Sequence, residues 1–255
     1  NKGVATRQDR WLDDKLYRLF FKNLKVILLA EALYGDVEKY VKRENVFVCP
    51  NGIPESLKGE PTAEHNNVIP QLLFLSNLLV DKGVLVLLDA LKILKEKGYS
   101  FVCHFVGGET AEIDAARFAE EVKTRGLDKM ALYLGKKYDE EKNEEYGNAD
   151  IFVFPTYYYN ECFPLVLLEA MEHAVPCIST REGGVSAIID DGVNGFMVEK
   201  RDANALADRI EFLLTHPEER THMGIAGRQK FKNEFTLPKF ETRMKQILER
   251  ANEEW

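Results

Sequence analysis

The stretch Ile151–Thr180, IFVFPTYYYNECFPLVLLEAMEHAVPCIST, decides the fold of this chain. IFVFP and PCIST are short apolar runs of strand length, and the nearly all-apolar PLVLLEAMEH between them is of helix length. A strand, a helix and a second strand in this order predict a right-handed crossover between two parallel strands. Because neither strand alternates apolar with polar residues, we expect helices on both faces of the sheet.

The same alternation continues on both sides of this unit. Three strand patterns precede it, each followed by a helix pattern: LLFLSNLL and VLVLLDALKILKEKG, FVCHFVGG and AEIDAARFAEEVKTRG, MALYLG and DEEKNEEY. The helix pattern VSAIIDDG, the strand GFMVE and the helix DANALADRIEFLLTH follow it. Gly98, Gly126 and Gly192 stand where left-handed residues end helices. The sequence therefore predicts a doubly wound, Rossmann-like parallel α/β domain.

The chain is predicted to have four parts. Residues 1–49 contain a helix around Trp11–Phe21, a strand KVILLA, a helix over Glu31–Val41 and a strand VFVC. Because two strands cannot form a sheet with its own core, we interpret this part as the tail of a first domain. Residues 50–70, rich in Pro, Gly, Asn and Glu, are predicted to link it to the α/β domain at 71–235, and 236–255 to form a terminal helix. Asn1 in place of Met fits a fragment.

Composition narrows the class of protein. The 255 residues include 34 Lys and Arg against 42 Asp and Glu, and the net charge of −8 opposes binding to nucleic acid. No apolar run reaches the roughly 18 residues of a membrane span, and no secretory signal opens the chain. Four widely spaced cysteines without a Cys-x-x-Cys pair fit a reducing, cytoplasmic setting. Neither His-x-x-x-His nor Asp-x-Asp occurs, so we expect no protein-bound metal.

Ligands of open parallel sheets bind beyond the carboxyl ends of the strands, so the loops there matter most. Lys82 stands at the start of a helix pattern, where a cation opposes the helix dipole; it either meets an anion or is a solvated lysine. Gly107 offers close backbone approach to a ligand. Pro164 can open the helix after IFVFPT, whose N-terminus would present the N–H groups of Leu165 and Val166 to a phosphate.

Glu169 is the lone acid within the apolar stretch 165–171 of that helix, so its carboxylate needs hydrogen-bond donors. Either neighbouring backbone or a lysine supplies them, or ligand hydroxyls do. The run DEEKNEEY is interpreted as a solvated helix face. Tyr157–Tyr159 either pack the loop or stack on a sugar; packing is favoured, since only one of three successive side chains need face the cleft.

From about Val46 to its C-terminus, the chain resembles the nucleotide-sugar-binding domain of retaining glycosyltransferases of the GT-B fold, the glycosyl transferases group 1 family (family four). The resemblance rests on motifs in order along the chain: CPNGI, FLSNLLVDKG, FVGGE, ALYLG, NADIFVFPT, ECFPLVLLEAM, Gly183-Gly184 and DGVNGF. Glu161 and Glu169, with seven residues between them, reproduce the family's best-known mark.

The resemblance implies a role for each site residue. Glu169 would accept hydrogen bonds from the nucleotide ribose, Glu161 would contact the donor sugar, and Lys82 would meet the diphosphate and the charge of the leaving group. Lys82 and Glu161 are thereby the expected catalytic residues. The remaining predicted nucleotide-sugar contacts are the main chain of Phe163, Leu165 and Val166, the backbone around Lys136 at the base, Gly107 beside the nucleotide, and Asn77.

Three positions depart from the family pattern. Asn77 stands five residues before Lys82, where many members have Arg, so leaving-group stabilisation would rest on Lys82. Pro164 replaces a common Gly and removes one N–H from the phosphate site. Ala187 stands where Glu often follows the Gly-Gly segment.

The resemblance implies a metal-independent, retaining hexosyltransferase whose substrate is a UDP- or GDP-sugar and which needs no cofactor. Its acceptor would be a saccharide or a lipid-linked group of bacterial surface polysaccharide or glycolipid synthesis. It would act in the cytoplasm, at the inner face of the membrane if the first domain makes a peripheral membrane contact. The alternatives are a nucleotide-sugar epimerase and a non-catalytic nucleotide-sugar-binding module. Because the acceptor site would lie largely on the first domain, we expect the 255 residues alone to transfer no sugar.

Overall fold

The structure, a computed structural model, describes residues 11–57, 59 and 67–253. Its strands are β1 (Val26–Leu28), β2 (Val46–Val48), β3 (Gln71–Leu75), β4 (Val102–Val106), β5 (Ala131–Gly135), β6 (Ile151–Phe154), β7 (Cys177–Thr180) and β8 (Gly195–Val198). Its α-helices are α1 (Trp11–Phe20), α2 (Val84–Glu96), α3 (Ala115–Thr124), α4 (Asp139–Asn148), α5 (Leu165–Glu172), α6 (Val185–Ile188), α7 (Ala203–Thr215), α8 (Pro217–Lys230) and α9 (Leu237–Glu253).

The large sheet has six parallel strands in the order β5-β4-β3-β6-β7-β8. The chain starts at the central strand β3, proceeds outward to β5, and then returns to place β6 on the other side of β3. This reversal creates a topological switch point between β3 and β6. The predicted doubly wound fold is confirmed, and each strand predicted for this domain is present.

Apolar side chains from the sheet and its helices form one continuous core. Phe74, Phe105, Phe152 and Phe154 lie on adjacent strands and are almost completely buried. Ring centroids of Phe74 lie 5.4 Å from Phe105 and 6.3 Å from Phe154. Around this layer α2 packs against α3 and α7, and α5 packs against α8. The rigid core fixes the loops at the ends of β3 and β6 relative to each other.

Two local predictions are wrong. The helix predicted over Glu31–Val41 is a 3-10 helix at Glu31–Asp36 followed by a turn, because Val37 and Val41 bend inward to a small core with Leu28. Gly192 has the expected positive φ of 78° but lies in the turn before β8, four residues beyond the end of α6. The Asn194 side chain ends the helix early, since its amide donates to the Ile188 carbonyl at 3.1 Å. Gly98 and Gly126 follow α2 and α3 with positive φ, as predicted.

A small parallel sheet of β1 and β2 lies beside the large one, and residues 49–70 connect it to β3. Residues 58 and 60–66 of the predicted linker lie outside the described residues. Helix α9 packs on the small sheet, where Ile247 and Met244 join Phe47 and Cys49 in a separate apolar cluster. Within the described ranges, no helix has the length and apolar character that a membrane span requires.

Two backbone hydrogen bonds tie the linker to the start of α9. Ile53 N–H donates to Phe235 at 2.9 Å, and Leu237 N–H donates to Ile53 at 2.8 Å. A little further along, the almost fully buried carboxylate of Glu172 accepts hydrogen bonds from Leu57 N–H at 3.1 Å and from the Ser56 hydroxyl at 3.0 Å, as well as from Ser56 N–H. Helix α5 therefore holds the linker through Glu172.

Replacing Glu172 by alanine is expected to accelerate hydrogen exchange at the Ser56 and Leu57 amides, because both donate to its carboxylate. A hydrogen bond to a charged group contributes about 1.5–3 kcal/mol, which corresponds to about 10- to 150-fold in exchange rate. Exchange measured by NMR tests this. The Ile53 and Leu237 amides are the internal control, since their acceptors are main-chain carbonyls. Equal acceleration at all four amides would show general destabilisation instead.

Candidate active site

The loops after β3 and β6 meet at the switch point. Tyr157 N–H, after β6, donates to the carbonyl of Asp81, after β3, at 2.8 Å. Gly83 follows with a φ of 86°, and a Cβ at that position would lie 2.3 Å from the carbonyl oxygen of Pro155. Only glycine combines this conformation with so close an approach of two backbones. Lys82, between Asp81 and Gly83, is thereby held against the end of β6.

Lys82 forms a buried ion pair with Glu161. The Lys82 Nζ atom lies 2.6 Å from Glu161 Oε2, and the two side chains are 15% and 10% exposed. The ammonium also lies 4.5 Å from the ring centroid of Tyr158 and 5.4 Å from that of Phe154. The two predicted catalytic residues are therefore in direct contact, with Tyr158 covering the cation.

The Gly183-Gly184 segment supports the loop that carries Glu161. Gly184 N–H donates to the Cys162 carbonyl at 2.7 Å. Gly183 has a φ of 54°, and a Cβ there would lie 1.9 Å from the carbonyl oxygen of Glu161. A Cβ at Gly184 would lie 2.5 Å from the Cys162 carbonyl oxygen and 3.2 Å from the Cβ of Ala30, just beyond β1. The segment after β7 thus fixes the position of the backbone at Glu161 and Cys162.

The small sheet also approaches this loop. An apolar cavity of about 310 Å³ is lined by Ile27 and Leu28 of β1, by Leu33, and by Cys162 of the Glu161 loop. Cys162 is half-buried there, and all four cysteines of the chain are free thiols. The loop is therefore bordered by the small sheet on one side and by the Gly183-Gly184 segment beneath it.

Helix α5 begins immediately after the Glu161 loop. Pro164 is its N-cap residue and provides no side-chain cap. The first N–H groups of a helix, here those of Leu165 and Val166, have no acceptor within the helix and favour an anion as their partner. The Leu165 side chain is 42% exposed. Phe163 is buried and packs edge-on against Phe235 at 6.0 Å, so only its main chain is available to a ligand.

A cavity of about 400 Å³ is lined by residues that follow β3 and β4 and by Val166 and Glu169 of α5. Five of the predicted contact residues line it: Asn77, Gly107, Lys136, Val166 and Glu169. Gly107 has a φ of 148°, and a Cβ there would lie 1.8 Å from the Ser76 carbonyl oxygen, so glycine is required by the neighbouring strand. Asn77 Oδ1 accepts a hydrogen bond from Gly108 N–H at 3.3 Å. Asn77 therefore braces the cavity wall.

Glu169 has two donors on α4. Lys142 Nζ lies 2.7 Å from Oε1, and the Tyr146 hydroxyl donates to Oε2 at 2.9 Å. Burial, and then the nearby charge of Glu169, raise the pKa of Tyr146 well above its ordinary value, so its hydroxyl remains a donor. Of the alternatives open from the sequence, a lysine does supply donors to Glu169.

The interpretation of DEEKNEEY as a solvated face is therefore wrong for one side of α4. Besides Lys142 and Tyr146, Glu145 points inward, 2.7 Å from His104 Nδ1 and in contact with Lys137 Nζ. Burial favours a higher pKa for Glu145, but the hydrogen bonds from His104 and Lys137 outweigh it and lower that pKa. The signal in the sequence is the i, i+4 spacing of Lys142 and Tyr146, which places both side chains on one face of the helix.

The predicted residues thus fall into two adjoining groups. Lys82 and Glu161 form the buried pair at the switch point, and the cavity residues end on Glu169. The N-terminus of α5 joins them, since Glu161 precedes it and Val166 borders the cavity. Fold and site together define a doubly wound α/β protein whose candidate cleft, made of these two groups of residues, lies at its switch point.

The sequence pattern described as "Glycosyl transferases group 1" matches residues 60–230, and the chain belongs to this family. Similar curated proteins include the capsular polysaccharide biosynthesis glycosyltransferase CapM of Staphylococcus aureus, 29% identical over 64% of this chain and 41% of that protein. The amylovoran biosynthesis glycosyltransferase AmsK of Erwinia amylovora is 28% identical over 71% of this chain and 44% of that protein. The chain thus spans less than half the length of these two relatives.

Solved structures share the fold. Sucrose-phosphate synthase from Thermosynechococcus elongatus superposes with a TM-score of 0.79 at 23% identity, over 100% of this chain and 65% of that one. Anabaena Alr3699/HepE in complex with UDP-glucose gives a TM-score of 0.79 at 18% identity, over 98% and 70% of the two chains. The architecture is that of GT-B glycosyltransferases, of which this chain represents about two thirds.

Proposed function

We propose that the chain is the donor-binding part of a retaining glycosyltransferase that moves a hexosyl group from a UDP- or GDP-sugar to a saccharide or lipid-linked acceptor. The observation that carries the proposal is that the Lys82–Glu161 pair, the N-terminus of α5 and the cavity lined by Val166 and Glu169 lie at the same edge of the sheet. A role in bacterial surface polysaccharide or glycolipid synthesis is supported by the relatives named for capsule and amylovoran biosynthesis. Four free thiols fit a cytoplasmic place of action.

In this proposal the donor lies along the cleft. The base meets the backbone at Lys136, and the ribose hydroxyls donate to Glu169 at the end of the cavity. The diphosphate meets the N–H groups of Leu165 and Val166, where a helix N-terminus favours negative charge. UDP-glucose bound to Anabaena Alr3699/HepE, a protein of the same fold, supports a ligand of this class.

The chemistry proposed at the pair is front-face displacement. The bond from the anomeric carbon to the diphosphate oxygen breaks, the acceptor oxygen bonds on the same face, and its proton passes to the departing diphosphate. Lys82 stabilises the negative charge that develops on the leaving group, an electrostatic contribution strengthened by its burial. Glu161 holds Lys82 at 2.6 Å and positions the donor sugar. Lys82 and the helix N-terminus supply the positive charge, so the proposed reaction is metal-independent.

Replacing Glu169 by glutamine is expected to weaken binding of UDP or GDP by about 1.5–3 kcal/mol, the range for hydrogen bonds to a charged group. The charge is lost while the size of the side chain is kept. Calorimetry with the nucleoside diphosphate and its 2′-deoxy analogue measures the effect. The wild-type chain should favour the ribose form, and the variant should lose most of that preference.

Glu172→Gln is the matched control, because Glu172 is on the same helix but binds the linker instead of the cavity. It should leave the nucleotide affinity unchanged. Equal binding of the ribose and deoxyribose forms by the wild-type chain would disprove the ribose assignment of Glu169.

A further inference from the structure

Lys142 is placed to do more than neutralise Glu169. It extends from α4 into the cavity wall, with Nζ 2.7 Å from Glu169 Oε1. The Lys142 and Glu169 side chains are 28% and 21% exposed, so both heads remain open to the cavity. The Tyr146 hydroxyl donates to the other carboxylate oxygen, Glu169 Oε2, at 2.9 Å, and Tyr146 is fully buried.

The hydrogen-bonding capacities of these groups leave room for a ligand. A carboxylate has about four acceptor positions, of which Lys142 and Tyr146 occupy two, and an ammonium has three donors. A hydroxyl group both donates and accepts. A hydroxyl placed between Glu169 and Lys142 would donate to the carboxylate and accept from the ammonium at once.

The charge of the cavity wall also favours a ligand contact for Lys142. Three lysines, Lys136, Lys137 and Lys142, line the cavity together with a single acid, Glu169. Lys137 is engaged by Glu145 behind the wall, whereas Lys142 engages the one carboxylate that faces the cavity. The chain as a whole carries a net charge of −8, so this positive wall is a local feature.

We infer that Lys142 binds the ribose of the nucleotide, donating a hydrogen bond to the same hydroxyl oxygen whose proton Glu169 accepts. Tyr146 is a positioning residue, which fixes the Glu169 carboxylate through its hydroxyl. This inference rests on the proposed function and adds a binding residue to it. If Lys142 instead competed with the ribose for Glu169, removing the ammonium would make the nucleotide bind more tightly.

The test compares Lys142→Met, which keeps much of the stem and removes the charge, with Lys142→Arg, which keeps a donor. Calorimetry uses UDP and GDP and, for the tighter of the two, its 2′,3′-dideoxy analogue. For Lys142→Met we expect about tenfold weaker binding of the diphosphate, the loss of one hydrogen bond between charged and polar groups. Binding of the dideoxy analogue should change less than about twofold, since the hydroxyl that Lys142 would contact is already absent there. Lys142→Arg should recover part of the affinity.

Lys92→Met is the matched control, because Lys92 forms an exposed ion pair with Glu96 on α2, away from the cavity. It should alter neither affinity. A second measurement needs no variant: in the wild-type chain, saturating diphosphate should lower the rate of Lys142 acetylation, read by mass spectrometry, more than the dideoxy analogue does. Lys92 should label at the same rate throughout.

Three results would overturn the inference. Tighter diphosphate binding by Lys142→Met would show competition for Glu169, and equal losses for the diphosphate and the dideoxy analogue would show a general charge effect. Unchanged binding of both would show that Lys142 makes no ligand contact. Failure of the wild-type chain to bind either diphosphate is a different outcome, which would remove the proposed function and this inference with it.

Discussion

Replacing Lys82 by alanine is expected to weaken binding of UDP or GDP by about 10- to 150-fold, the equivalent of about 1.5–3 kcal/mol. Two effects act together: the diphosphate loses a cation, and Glu161, 10% exposed, keeps an unpaired negative charge beside it. Calorimetry with the diphosphate and with the parent nucleoside separates the phosphate contribution. Nucleoside binding should change less than about twofold, because in the proposed arrangement the base and ribose lie in the cavity that contains Glu169.

Lys230→Ala is the matched control for this prediction. Lys230 is 14% exposed, close to the 15% of Lys82, and pairs with Asp190 at 2.9 Å, but it lies on α8 away from the cleft. It should leave diphosphate affinity unchanged. In an assay of sugar transfer by a full-length protein that contains this chain, Lys82→Ala should lower kcat by a larger factor than it raises the KM of the donor, because the leaving-group charge develops in the transition state. Diphosphate affinity equal to that of the wild type would exclude Lys82 from the phosphate site.

Replacing Gly183 by alanine is expected to lower the free energy of unfolding by about 2–5 kcal/mol. The φ of 54° costs an L-residue about 1–2 kcal/mol. The new Cβ, 1.9 Å from the Glu161 carbonyl oxygen, adds an overlap that only a backbone shift can relieve. Urea denaturation measures the change. Because domains of this size are stable by only about 5–15 kcal/mol, the variant should lose a large part of its stability.

Gly192→Ala serves as its control. Gly192 has a φ of 78°, but a Cβ there would meet no atom within 4 Å. This variant should lose only the conformational contribution, about 1–2 kcal/mol. If both variants lose the same free energy, the contact between Gly183 and the Glu161 loop has no energetic weight. Where Gly183→Ala remains folded, diphosphate binding should also weaken, because the shift needed to accommodate the Cβ moves Glu161.

The strands and most helices of the large domain are predictable because each is encoded locally, by apolar runs and helix ends. The positions of Lys82, Glu161 and Glu169 at one edge of the sheet follow from the predicted strand order, whereas their roles rest on the family resemblance and stay predictions. The 3-10 helix at Glu31–Asp36 is not predictable in this way, because the burial of Val37 and Val41 in the small core determines where the helix ends.

The inward side of α4 was missed for a similar reason. Its sequence is rich in charge, and charge predicts solvent exposure until partners are known. His104, the partner of Glu145, lies 41 positions away on β4, and Glu169, the partner of Lys142, lies 27 positions away on α5. No local pattern contains these pairings. Only the crossover connections bring the partners together, and they also determine which lysines face the cavity.

The bonds between Ile53 and the Phe235–Leu237 segment have a mechanical consequence. They fasten to each other the two passages of the chain that connect the small sheet and the large sheet, so neither passage can be displaced without the other. The small sheet and α9 also pack together around Phe47. Ala30, just beyond β1, is buried in the core of the large domain near Gly184 and the Glu161 loop. A substitution that shifts the small sheet is therefore expected to displace the loop whose Glu161 holds Lys82.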